Sequence, residues 1–171
     1  MLPVLFFVED NFDELELFYP KIRLEEEGFS TCISGPKTKK TYFSKHKLPL
    51  VSDCSFEDCE EKDFSALVIP GGFSPDRIRR YEKALTLTRD FDKNKKPIAF
   101  ICHGGWVPIS AKILKGKKVT ATIAIKDDLE NAGAIFEDKG LVVDNHLISS
   151  RSPKDLNLFG KAIVTALSKT K

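Results

Sequence analysis

Residues 98–106, Ile-Ala-Phe-Ile-Cys-His-Gly-Gly-Trp, decide how this chain is read. A short apolar run ends in a Cys-His pair, two glycines follow, and an amphipathic segment from Val107 to Leu114 begins at once. That order predicts a buried strand turning sharply into a helix, with Cys102 at the apex. A thiol there lies near a helix N-terminus, whose partial positive charge favours the thiolate. Gly104 and Gly105 remove side chains where a substrate approaches and where helix meets sheet. Cys102 is thus a candidate nucleophile. A free cysteine is as commonly a packed core residue, and the local pattern leaves both readings open.

Working outward, apolar runs alternate with helical patterns. Val4–Val8 reads as a strand, and Phe12–Glu27 as a helix on which Leu15, Phe18, Tyr19, Ile22 and Leu24 recur. Gly28 stands where a helix C-terminus wants glycine, and Phe29–Ser34 is the next strand. The Lys-rich stretch to about Ser52 predicts a hairpin or extended loop, and Ala66–Pro70 is a strand closed by Gly71 and Gly72. Ser74-Pro75-Asp76 reads as a capped helix start with proline at the first position, and that helix is expected to run to about Lys93. Leu141–Val143 and Leu147–Ser149 flank Asp144-Asn145 as a hairpin, and a last helix begins near Pro153. This alternation predicts an α/β fold with a mostly parallel sheet between helices. Ligands in such folds bind at the carboxyl ends of the strands. The acidic stretch after the first strand, the Gly71-Gly72 loop and Cys102 converge there.

The bulk numbers narrow the function. A chain of 171 residues, 42% hydrophobic and 30% charged, predicts one domain, 1–171, with a sizeable core. A net charge of +2 gives no case for nucleic acid. The cluster Lys37, Lys39, Lys40, Lys45 and Lys47 reads as a solvated loop. Leu2–Val8 is too short to span a bilayer and lacks a basic leader, so a cytoplasmic chain with no membrane partner is expected. Cys32, Cys54, Cys59 and Cys102 include no CxxC pair. Neither a metal site nor a disulfide is expected, and Cys32 reads as a packing residue.

The chemistry around Cys102 follows from what a thiol needs. With a pKa of ~8.5 it is only slightly ionised at neutral pH. A protonated carboxyl that donates a hydrogen bond to sulfur helps, and Glu9, Asp10, Asp13, Glu14 and Glu16 supply acids. The backbone amides of Gly72 and His103 are placed to form an oxyanion hole. His103 directly follows the cysteine, so its ring is expected to point away from the thiol. His146 lies in the Asp144-Asn145 turn and lacks the His-x-Glu context of glutamine amidotransferases. It reads as a turn residue, and Trp106 as a core or site-lining aromatic.

At these residues the chain resembles the ThiJ/PfpI superfamily, specifically its PfpI-like intracellular protease branch. The likeness runs through Phe12 to Leu17 with Tyr19-Pro20 and Gly28, Ala66 to Gly72 with Ser74-Pro75-Asp76, and Ile101 to Gly104. It continues in Ile125 to Asp128 with Asn131 to Ala134, Val142 to Asp144, and Ser149 to Leu156. The resemblance implies a flavodoxin-like (class I glutamine amidotransferase-like) three-layer sandwich with Cys102 on a nucleophile elbow. It implies an acid after the first strand bonded to that cysteine, and alignment on Glu16-Leu17 and Tyr19-Pro20 puts Asp13 there, one methylene shorter than the family's glutamate. It implies that Asp76 reaches His103 of a neighbouring subunit to complete a Cys-His-acid triad. The chain is then a homo-oligomer, a dimer at the least, with a trimer of dimers as the larger form. Gly105 stands where a proline is frequent. The activity implied is cofactor-free, glyoxalase or deglycase chemistry on small aldehydes or their adducts, with peptide hydrolysis and a turnover-free redox or chaperone role as alternatives.

Overall fold

The computed structural model describes residues 2–169. In chain order the elements are β1 (Val4–Phe7), α1 (Glu14–Glu26), β2 (Thr31–Gly35), β3 (Thr41–Phe43), β4 (Pro49–Val51), β5 (Cys54–Ser55), β6 (Ala66–Ile69), α2 (Ser74–Ile78), α3 (Glu82–Lys93) and β7 (Ile98–Ile101). Then follow α4 (Trp106–Ser110), β8 (Lys118–Val119), α5 (Lys126–Asn131), β9 (Ile135–Phe136), β10 (Leu141–Asp144), β11 (Leu147–Ser150) and α6 (Leu156–Ser168). Seven strands form the central sheet in the order β10-β11-β7-β6-β1-β2-β5. All its pairings are parallel except that of β10 with β11.

Continuous apolar strands demand cover on both faces, and they have it. Alternate residues of β1, β6 and β7 feed two cores. Leu5, Phe7, Leu67, Ile69, Ile98 and Phe100 pack on one side with Leu87 and Phe91 of α3 and Val107 of α4. Val4, Phe6, Ala66, Val68, Ala99 and Ile101 pack on the other with Leu17 and Leu24 of α1 and Phe159 and Ile163 of α6. The result is a helix–sheet–helix sandwich, as expected.

The strand order reverses at β1. The chain leaves β1 for β2 on one side and returns to β6 on the other. A crevice therefore opens beyond the carboxyl ends of β1 and β6, where ligands of doubly wound sheets bind. The next strand along is β7, which leads directly into Cys102.

Three local expectations are corrected. Ser74 does not cap α2; its hydroxyl accepts the Glu9 amide at 3.0 Å and ties the end of β1 to α2. The helix expected up to Lys93 is broken at Arg79–Tyr81 into α2 and α3. The helix after the elbow is one short piece, Trp106–Ser110, preceded by a 3₁₀ turn over Cys102–Gly105. The strands and helix between Lys118 and Phe136 carried no clear periodicity because each is six residues or fewer. Among the described residues no helix is long and apolar enough to cross a membrane.

Candidate active site

Cys102 directly follows β7 and opens the 3₁₀ turn in the left-handed region, with φ 58°. A residue with a Cβ pays roughly 1–2 kcal/mol for that conformation, and such strain at a strand-to-helix turn marks a functional position. Two glycines make the turn possible. A Cβ on Gly104 would lie 2.5 Å from the Ile69 carbonyl oxygen. A Cβ on Gly71 would lie 2.4 Å from Glu16 Oε2 and 2.8 Å from Cys102 Cβ. Gly105 is less confined, its nearest neighbour being the mobile end of Ile125 at 3.1 Å.

The acid beside the sulfur is Glu16. Its side chain has no solvent exposure, accepts the Gly71 amide on Oε2 at 2.8 Å, and lies close enough to the Cys102 thiol for each to shift the other's ionisation, while its Oε1 has no hydrogen-bond partner among the described residues. Burial, reinforced by the nearby Asp13 charge, pushes the Glu16 carboxyl up to about 8. It therefore carries a proton at neutral pH. Burial first, then the Glu16 charge, pushes the Cys102 thiol up to about 12. The second cause exists only while Glu16 is ionised; with its proton in place the same carboxyl donates to sulfur and favours the thiolate. The His103 amide also hydrogen-bonds Cys102 and acts in the lowering direction.

Asp13, the acid placed beside Cys102 by the resemblance, has another task. It is the N-cap of α1, its Oδ1 accepting the Leu15 and Glu16 amides at 3.0 and 3.1 Å. Its Oδ2 binds Lys45 Nζ at 2.5 Å. The legible signal was Asp13-x-x-Glu16, a capping-box spacing that makes Asp13 the cap and Glu16 the third helical residue. In that motif the glutamate folds back onto the amide of the cap. Here the Asp13 amide is already bound to the Gly71 carbonyl at 3.2 Å, which leaves Glu16 free to reach Gly71 and the thiol.

The hairpin of β3 and β4 supplies Lys45, which the sequence showed only as part of a solvated cluster. Backbone bonds from Asn11 to the Phe43 carbonyl (2.7 Å) and from Lys45 to the Phe12 carbonyl (2.9 Å) dock it. Its neighbour His46 pairs with Glu14.

His103 turns toward the thiol, not away from it, with Nδ1 3.4 Å from Cys102 Sγ. Its ring centroid lies 4.9 Å from that of Trp106. Burial holds its pKa below the ordinary histidine value, so it is neutral at pH 7. Trp106 also meets the exposed Phe73 edge-on at 6.4 Å. Asp76 is paired with Arg80 at 2.5 Å; among the described residues no hydrogen bond joins it to His103 within the chain. Gly72, at φ 77°, sits in an antiparallel bridge with Phe12. The Asp13 amide donates to the Gly71 carbonyl and the Phe73 amide to the Asn11 carbonyl on either side of it. This is the non-hydrogen-bonded type of pair, so the Gly72 amide points away from Phe12 and is not consumed by the pairing.

His146 lies far from this group and pairs with Asp92 at 2.7 Å. A cavity of about 820 Å³ beside it, lined by Leu141, Ile148 and Leu158, includes no residue of the elbow.

A buried acid on a strained thiol with a neutral histidine at its side is equipped for nucleophilic and proton-transfer chemistry. Comparison with known proteins gives the same kinship throughout the chain. The DJ-1/PfpI family model matches residues 3–166. The protein named Deglycase PfpI of Pyrococcus furiosus is 40% identical over 166 residues, covering 97% of this chain and 99% of its own. An uncharacterized protein of Archaeoglobus fulgidus is 41% identical over 166 residues, covering 97% and 98%. Among solved structures, a two-domain protein of Anabaena variabilis with DJ-1/ThiJ/PfpI-like and ferritin-like domains superposes with a TM-score of 0.96 at 34% identity, covering 98% of this chain and 48% of that one. Drosophila melanogaster DJ-1beta, at 23% identity and a TM-score of 0.90, shares the fold over 98% of this chain and 91% of its own. Over residues 3–166, from the first strand to the last helix, this chain belongs to the DJ-1/PfpI family.

Proposed function

We propose that this protein is a cysteine-dependent stress-response enzyme of deglycase or glyoxalase type, acting on small reactive aldehydes or their adducts. The observation that carries the reading is the fully buried Glu16 carboxyl on the Cys102 sulfur at a left-handed elbow. Relatives at 40% identity named deglycases support it.

In this mechanism His103 Nδ1 takes the thiol proton and Cys102 Sγ bonds to the aldehyde carbon. The carbonyl π pair moves to oxygen, the Gly72 and His103 amides face the developing charge, and Glu16 delivers its proton there. The hemithioacetal then stands between a carboxylate and an imidazolium. For a 2-oxoaldehyde, Glu16 removes the proton from the carbon bonded to sulfur while the His103 imidazolium protonates the neighbouring carbonyl oxygen, giving an enediol. Glu16 then returns its proton to the neighbouring carbon as the first hydroxyl gives its own back to His103 and its oxygen becomes the thioester carbonyl. The resulting thioester is hydrolysed by water to a 2-hydroxy acid and free Cys102. Asp13 is a positioning residue: it fixes the turn that aims Glu16.

Among the described residues of one chain no carboxylate hydrogen-bonds His103, and we extend the proposal to a homo-oligomer in which Asp76 of a neighbouring subunit orients it. Asp76 lies on α2, which packs against the elbow turn.

The test is methylglyoxal consumption with lactate detection in metal-free, thiol-free buffer. Lactate formed by the wild type and not by Cys102→Ala supports aldehyde chemistry. No lactate from folded, reduced protein overturns it and moves the weight to peptide hydrolysis or oxidation of Cys102.

A further inference from the structure

Three of the four cysteines come together at the opposite edge of the sheet. β2 and β5 pair in parallel with Ser34 opposite Cys54, so Cys32, two residues before Ser34, projects from the same face as Cys54. The turn after β5 folds Cys59 back beneath them. Cys54 Sγ lies 3.5 Å from Cys32 Sγ and 3.3 Å from Cys59 Sγ. Cys59 is buried against Ser34 Oγ (3.4 Å) and the Ser55 carbonyl (3.3 Å), whereas Cys32 on β2 and Cys54 on the edge strand β5 are partly exposed. The sequence hid this, since no CxxC spacing announces it.

We propose that Cys54 is a peroxide-reactive thiolate resolved by Cys59, forming a reversible disulfide independent of the elbow. Cys54 is the central sulfur of the three, within hydrogen-bond distance of both others, and those contacts hold it below the ordinary thiol range while Cys32 and Cys59 are raised. One sulfur of the three is thus the nucleophile, and the other two keep their protons. In the first step Cys54 Sγ attacks one oxygen of a hydroperoxide and the O–O bond breaks. The departing alkoxide, or hydroxide from hydrogen peroxide, takes a proton from solvent, and Cys54 becomes a sulfenic acid. In the second step Cys59 Sγ attacks Cys54 Sγ, the S–O bond breaks, and the oxygen leaves as water with the Cys59 proton. Two thiols give up two electrons, which reduce the hydroperoxide to an alcohol and water. Cys59 is the resolving thiol because it is the nearer and lies on the same short turn; Cys32 remains as the donor that holds the thiolate.

The experiment uses Cys102→Ala protein, so that only the trio is read, treated with stoichiometric hydrogen peroxide and mapped by mass spectrometry under non-reducing conditions. The expected result is a fall from three maleimide-reactive thiols to one, a Cys54–Cys59 peptide, and recovery of all three with reductant. In Cys102→Ala/Cys59→Ser the disulfide is absent and dimedone labels Cys54; circular dichroism checks that this variant is folded. Three unchanged thiols, first oxidation at Cys32 or Cys59, a Cys32–Cys54 disulfide, or sulfinate accumulating at Cys54 without a disulfide would each overturn the proposal. A failed lactate assay leaves this result untouched, because the trio shares no residue with the elbow.

Discussion

Glu16 and Cys102 set one another's ionisation: the carboxyl has no contact with solvent, its Oε2 accepts the Gly71 amide, its charge pushes the Cys102 thiol up, and the thiol acts on the carboxyl in the lowering direction. Converting Glu16 to Gln keeps the shape and removes the transferable proton. Turnover is expected to fall by about 10²–10⁴-fold, the usual worth of a positioned acid–base, with Cys102 still alkylatable. Undiminished turnover in folded Glu16→Gln protein would remove Glu16 from the mechanism.

The same burial has a stability signature. The Glu16 pKa is raised in the folded state, from 4.5 to about 8. Below pH 4.5 both folded and unfolded chains hold the proton and nothing is lost. As pH rises from there to about 8 the unfolded chain ionises first, so the folded state is progressively disfavoured. Denaturant midpoints measured from pH 4.5 to 8 should decline more for the wild type than for Glu16→Gln. Parallel curves would show that Glu16 is not held protonated.

Asp13→Ala removes the cap of α1 and the partner of Lys45. A loss of about 1 kcal/mol in stability is expected from the cap, with a fall in kcat as Glu16 loses its aim. Asp13→Glu should not raise activity, because the longer side chain leaves the capping geometry and the position beside sulfur is already filled. A gain in turnover for Asp13→Glu would mean that residue 13 itself reaches the thiol.

Gly71→Ala puts a methyl group 2.4 Å from Glu16 Oε2. It should cost more than tenfold in kcat/KM, by displacing Glu16 or the elbow, while Gly105→Ala meets only the end of Ile125 and should leave activity within about twofold. Steady-state kinetics on the pair checks this, and equal losses would mean that the two glycines serve the same purpose.

Asp76→Ala separates the one-chain site from the assembled one. The Asp76–Arg80 pair is largely solvent-exposed on the arginine side, so stability should change by less than about 1 kcal/mol. Activity should fall several-fold, with an altered pH profile, if the neighbouring subunit's carboxylate orients His103. An unchanged pH–rate profile in an oligomer of unchanged size would sink that role.

The large elements were legible because their signals are periodic. Val4–Phe7, Ala66–Ile69 and Ile98–Ile101 are unbroken apolar runs, and Gly28 closes α1 at φ 81°. The elbow was legible for the same reason, from an apolar run with glycines behind it. What failed was choice among neighbours. Asp13 and Glu16 both lie in the acidic stretch, and only the use of the Asp13 amide by Gly71 decides which carboxyl is free. Ser74 looked like a cap because its tie to Glu9 joins residues 65 positions apart. Lys45 and the three clustered thiols were invisible on the same ground, since a contact across strands leaves no mark in local spacing.

The contact from Lys45 to Asp13 runs from a surface hairpin to the first turn of the helix that carries Glu16. The acid strength of a sealed interior carboxyl therefore answers to a residue that is half open to solvent. Substitutions in this hairpin can retune the sulfur while every atom packed around it stays the same. Among relatives with one elbow, differences in reaction rate and preferred aldehyde can thus be written in the loop over the site.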